Sequence, residues 1–79
     1  MTIEELRKVH QASPFRPFTI YLADQRSFYV SHRDFLSHSP GTGRTIIVYD
    51  NNGSFDILDL LLVTDIKVHA PAPADGAST

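Results

Sequence analysis

The chain has 79 residues, 7 basic against 9 acidic side chains for a formal net charge of -2, and no cysteine. That length allows one domain whose single core is near the limit of sufficiency, a situation in which self-association is a common remedy. The missing thiols exclude disulfides, thiolate metal sites and cysteine nucleophiles, and the slight acidity argues against a protein that coats nucleic acid by neutralising phosphates.

The first segment, Met1-Thr2-Ile3-Glu4-Glu5, is acidic where a signal peptide would be basic and then apolar, and no apolar run reaches the length of a membrane span. Together these predict a soluble, cytoplasmic protein. Thr2 and Glu5 have the spacing of a capping box, and Ile3, Leu6 and Val9 follow at helical period, so a short helix is expected over residues 3 to 11, ending before Ser13-Pro14. So short a helix is marginal alone in water and must dock its stripe on the rest of the fold.

The stretch from Phe15 to Leu36 places large side chains in alternation on both sides of one polar break, the pattern of a β-hairpin. A two-residue Asp24-Gln25 loop would set Ile20 against Tyr29 and Phe18 against Ser31, mixing polar and apolar residues. A three-residue loop of Ala23, Asp24 and Gln25 pairs Ile20 with Phe28 and Phe18 with Val30 on one apolar face, and is preferred. Its last residue, Gln25, then falls in the left-handed region, at a cost of roughly 1 kcal/mol.

Ser31 and Asp34 repeat the capping spacing, which predicts one helical turn over residues 32 to 36, and Ser37 to Gly43 reads as an exposed loop. Residues 45–49 and 55–58 are β-rich runs around Asp50-Asn51-Asn52-Gly53, the strongest turn signal in the chain. Their register stays open: a three-residue loop groups Tyr49, Phe55, Ile47 and Ile57, while a four-residue loop groups Val48, Phe55, Ile46 and Ile57. Asp59-Leu60-Leu61 is expected to turn tightly into a fifth strand, residues 62–68, with Val63 facing outward. The alternative is a buried helix through residues 57–63. The predicted fold is therefore mainly β: a short N-terminal helix, then a five-stranded, strongly bent antiparallel sheet or small barrel over residues 1–69. An Ala/Pro-rich tail, residues 70–79, has nothing to anchor it in a core and is expected to be disordered.

No catalytic signature stands out. The histidines, His10, His32, His38 and His69, lack the spacing of a metal site and are expected to be exposed or half-buried. Serine, histidine and aspartate occur without a nucleophile elbow, and Gly41-Thr42-Gly43-Arg44 lacks the lysine and helix of a phosphate loop. No cofactor, metal or small-molecule substrate is inferred, and an enzyme is not expected. Arginines beside aromatics offer a route to RNA, which would use Arg16, Arg26, Tyr29, Arg33 and Arg44. A final strand with few charges and several β-branched residues is a template for another chain, so Leu62, Val63, Thr64, Asp65, Ile66 and Lys67 are expected to form an interface between copies in a homo-oligomer.

The order of elements resembles the Sm-like, SH3-type small β-barrels, and residues 18–28, Phe-Thr-Ile-Tyr-Leu-Ala-Asp-Gln-Arg-Ser-Phe, resemble the first Sm motif, with Gln25 in the place of its glycine. The resemblance implies a self-associating barrel, with RNA binding as the alternative. Leu60-Leu61-Leu62-Val63-Thr64-Asp65 stands where the second Sm motif has the basic residues that contact RNA. Phe15-Arg16-Pro17-Phe18, with Asp34-Phe35-Leu36 and Leu60 to Thr64, also resembles a family of small uncharacterised bacterial proteins, which implies no particular activity.

Overall fold

The computed structural model describes residues 1–41 and 43–70, so all but the first residue of the expected tail lies outside the described residues. Helix α1, Ile3–His10, begins with the expected capping box. Thr2 Oγ1 accepts from the Glu5 amide at 3.2 Å, and Glu5 Oε1 accepts from the Thr2 amide at 2.9 Å. The Thr2 amide, and after it the Thr2 hydroxyl, which donates to the same Oε1 at 3.1 Å, hold the Glu5 carboxyl below its ordinary pKa. Ile3 and Leu6 are buried and Val9 packs against the core. The helix also turns His10 inward, at 6% exposure, which corrects the expectation of exposed or half-buried histidines. Two polar contacts make that burial tolerable: His10 Nε2 lies 2.9 Å from the Arg33 carbonyl and Nδ1 lies 3.0 Å from Gln11 Nε2. A carbonyl can only accept, so the ring hydrogen sits on Nε2.

Strands β1, Phe18–Leu22, and β2, Ser27–Val30, pair in the expected register, with Phe18 opposite Val30 and Ile20 opposite Phe28. The Leu22 amide donates to the Arg26 carbonyl at 2.9 Å across the three-residue loop, and Gln25 takes φ 78°. Phe18, Ile20, Leu22 and Val30 are buried.

The single bent sheet of five strands, or closed barrel, is not what forms. Six strands, the last four being β3 at Leu36–His38, β4 at Thr45–Tyr49, β5 at Phe55–Asp59 and β6 at Val63–Val68, make two separate three-stranded antiparallel sheets, ordered β2-β1-β6 and β3-β4-β5, with β1 and β4 central. The expected helical turn is present as one turn of 3-10 helix, Arg33–Phe35, but β3, Leu36–His38, follows at once, taking the last residue expected in that turn and the first two expected in the loop. Its pattern of one apolar and two polar residues carries no period. What recruits it is β4, Thr45–Tyr49, whose free side takes Leu36 opposite Val48 and His38 opposite Ile46.

Strand β5, Phe55–Asp59, resolves the open register in favour of the three-residue loop, with Tyr49 opposite Phe55 and Ile47 opposite Ile57. Gly53 ends that loop at φ 91°. Because residues 55–59 are extended, the alternative helix through residues 57–63 does not occur. A 3-10 turn, Leu60–Leu62, leads into β6, Val63–Val68, and the Asp59 carboxylate caps it by accepting from the Leu61 amide at 2.9 Å. The register against β1 then slips: Tyr21 faces Asp65 but Leu22 faces Val63, which leaves Thr64 unpaired, its hydroxyl donating to the Tyr21 carbonyl at 3.1 Å. This bulge corrects the orientation expected for Val63. Strict alternation would put Val63 and Ile66 on opposite faces, whereas the extra residue turns both inward, Val63 to 4% exposure and Ile66 against the core.

Candidate interaction surfaces

The side chains expected to meet RNA are spread over the molecule, and each arginine among them is engaged. Arg16 Nε donates to the His69 carbonyl at 3.0 Å. Arg26, at the far end of β1 in the hairpin loop, donates to Asp24 Oδ2 at 2.9 Å and lies over the Phe28 ring at 5.6 Å. Arg33 donates to the carbonyls of His10 and Ala12 and lies over the Phe15 ring at 5.5 Å. Arg44, on the second sheet, is 3.5 Å from Asp59 Oδ2. The fold does bring two of the five together: Arg16 and Tyr29 share an open cleft of about 400 Å³ with Phe15 and His69, whose ring centroid is 5.7 Å from that of Tyr29.

Sheet edges form the second kind of surface. In an antiparallel ladder each residue turns its N–H and C=O to the same side, alternately toward and away from a given partner. The amide of Asp50 donates to the Ser54 carbonyl at 2.8 Å and that of Leu60 to the Arg44 carbonyl at 2.7 Å. Asp56 and Leu58 therefore bond β4, while Phe55 and Ile57 turn their backbone groups to the open side. The same counting from His69 N to Pro17 O, 2.9 Å, sets Asp65 and Lys67 toward β1 and Ile66 and Val68 outward on β6.

The two open edges differ in side chains. On β5, Phe55 is 55% and Ile57 66% exposed, on the face they share with Tyr49 and Ile47, and Leu61 and Leu62 follow, exposed, in the next turn. Of the interface expected on β6, Leu62, Thr64, Asp65 and Lys67 are exposed, Ile66 is half-buried and Val63 is inside the core. The Asp65 carboxylate lies 3.0 Å from the Thr64 hydroxyl and shares its one hydrogen with the Tyr21 carbonyl. In a head-to-tail ring, the edge expected from the sequence to pair with the final strand is that of residues 54–58. The signal was there, since both registers left open for the second hairpin put Phe55 and Ile57 on one face.

Among the described residues no group of three metal-ligating side chains converges, and no helix is long and apolar enough to cross a membrane. The imidazoles of His10 and His38 approach one another, with centroids 5.6 Å apart. No family model, curated protein or solved structure matches this chain.

Proposed function

We propose that the chain is a non-enzymatic module that self-associates through the open edges of its two sheets and so mediates protein interactions. The observation that carries this reading is the β5 edge, where outward backbone groups at Phe55 and Ile57 coincide with two large, exposed apolar side chains. An unpaired edge of that composition, without lysine or proline to blunt it, is a template for another strand. The complementary edge is β6 of a second copy, whose outward groups at Ile66 and Val68 are flanked by the exposed Asp65 and Lys67. Pairing two different edges is a head-to-tail contact, which closes into a ring or continues as a fibre according to its rotation.

The test is sedimentation of the unmodified protein beside Ile57→Pro. Proline at an outward-facing edge position removes a donor that β4 does not use, so the variant keeps its fold and its circular dichroism. The unmodified chain is expected to sediment as an oligomer and the variant as a monomer. A monomer for the unmodified chain at high micromolar concentration overturns the reading.

A second reading, Sm-like RNA binding, draws on the cleft where Arg16 and the tilted Tyr29 and His69 rings meet, since aromatic faces beside a guanidinium suit a nucleobase next to a phosphate. It ranks below the first because the Arg16 guanidinium already holds the His69 carbonyl.

A further inference from the structure

A third edge lies away from β5 and β6. The bond from the Leu22 amide to the Arg26 carbonyl sets the phase of the first hairpin, so Phe28 and Val30 bond β1 while Ser27 and Tyr29 turn their N–H and C=O away from it. That edge does not face open solvent alone. Ser27, Phe28 and Tyr29 form one wall of a cleft of about 480 Å³ between the two sheets, floored by Phe35 and Val48 and closed on the far side by Tyr49, Asp50 and Asp56.

Asp56 is out of place by the logic of the fold. It lies opposite Val48 and therefore shares the inward face of the β4–β5 pair, where its neighbours along the strands are Leu58 and Ile46, both buried. It is half-buried there, and among the described residues its carboxylate makes no hydrogen bond and no ion pair. Asp50, next along the same face, accepts from the Ser54 hydroxyl at 2.9 Å and keeps lone pairs to spare. The lining of the cleft holds two carboxylates and no lysine, arginine or histidine. Arg26, which lies over Phe28, is taken by Asp24.

We propose that this cleft takes an extended peptide that adds as a strand to the outer edge of β2 and sends a lysine or arginine side chain to Asp56 and Asp50. The backbone groups of Ser27 and Tyr29 supply the ladder, Phe28, Phe35 and Val48 receive the apolar stem of the basic side chain, and the carboxylates receive its head. Charge decides the partner class, because an acidic or neutral residue would leave the half-buried Asp56 unpaired. The site is independent of the self-association proposed above, and its readout is a map of amide shifts rather than a change in stoichiometry.

The experiment titrates 15N-labelled full-length protein with the blocked pentapeptide Thr-Val-Lys-Val-Thr, with its glutamate counterpart, and with methylammonium. The lysine peptide is expected to shift the amides of residues 27–31 and 48–56. The glutamate peptide and methylammonium are expected to bind at least about tenfold more weakly, as is the lysine peptide to Asp56→Asn. Ser27→Pro, which removes an outward donor at the start of an edge strand, is expected to lose the peptide while its amide spectrum stays dispersed. Equal binding of the glutamate peptide, equal binding of methylammonium, shifts confined to β5 and β6, or no shifts at millimolar peptide each overturn the proposal. Asp56→Asn isolates the carboxylate, so the conclusion stands or falls even if Ser27→Pro does not fold.

Discussion

The two hairpins are built on the same three-residue connection, yet their sequences specify it in opposite ways. The second ends its loop on Gly53 at φ 91°, a residue suited to that conformation, and the first ends on Gln25 at φ 78°, which is not. The faces reverse the comparison. In the first hairpin Phe18, Ile20, Leu22 and Val30 are buried while Tyr21 and Tyr29 stand outside, so one register is far better than its neighbour. In the second, Ile46 and Val48 alternate with Ile47 and Tyr49, and either face could go inward. A one-sided face therefore fixes register even against its own turn, whereas a favourable turn beside a two-sided face leaves register to the tertiary partner. The apolar surface that a two-sided strand cannot bury is what the β5 edge displays.

The sharpest test of this contrast is a pair of truncations. Phe18→Ala, at a fully buried site, is expected to cost about 3 to 5 kcal/mol in urea unfolding, which a domain this small can hardly lose. Phe55→Ala, at an exposed site, is expected to stay within about 0.5 kcal/mol in the monomer and to act on self-association instead. Comparable losses at both positions would break the comparison. Phe28→Ala belongs between them, since its ring is half-buried.

The loops give a smaller effect of opposite sign. Gly53→Gln is expected to lower stability by about 1 kcal/mol, because a side chain enters the left-handed region. Gln25→Gly is expected to raise it slightly or leave it level, the relief of strain being offset by about 0.4 to 1 kcal/mol from a looser unfolded chain. Thermal melts of the two variants decide this, and a clear fall for Gln25→Gly would show that the Gln25 side chain contributes more than its strain costs.

The smallest effect lies outside both hairpins, at the helix cap. Because the folded state holds the Glu5 carboxyl below its ordinary pKa, the unfolded chain takes up this proton first as pH falls. The stability contributed by the cap is thus present above the ordinary glutamate range and is lost on acidification through the lowered folded value. Thr2→Ala is expected to return the Glu5 titration, followed by NMR, toward that ordinary range.

What could be read without coordinates follows from how local each signal is. The capping box at Thr2 and Glu5 and the first hairpin are complete within a few residues, so their bonds and register follow from composition alone. Strand β3 could not be read, because Leu36, Ser37 and His38 become a strand only when β4 offers them an edge. His10 reads as a surface residue until the Arg33 carbonyl is placed against it, and the bulge at Thr64 hides behind a stretch that alternates well on paper. The cleft beside β2 is the least legible feature of all. It exists between two sheets, and its one anomalous residue, Asp56, looks like any polar residue in an alternating strand until Val48 is set opposite it.

His10 and Arg33 are joined twice and in opposite senses: the imidazole donates to the Arg33 carbonyl at 2.9 Å, and the guanidinium donates to the His10 carbonyl at 3.0 Å. Arg33 begins the turn by which the chain leaves the first sheet for the second, and Leu60–Leu62 is where it returns. In mechanical terms the sheets are two leaves on two hinges, with the helix bolted across one of them. A ligand wedged between the leaves would load that bolt, so protection of the His10 amide against exchange would register occupancy of a cleft that His10 does not line.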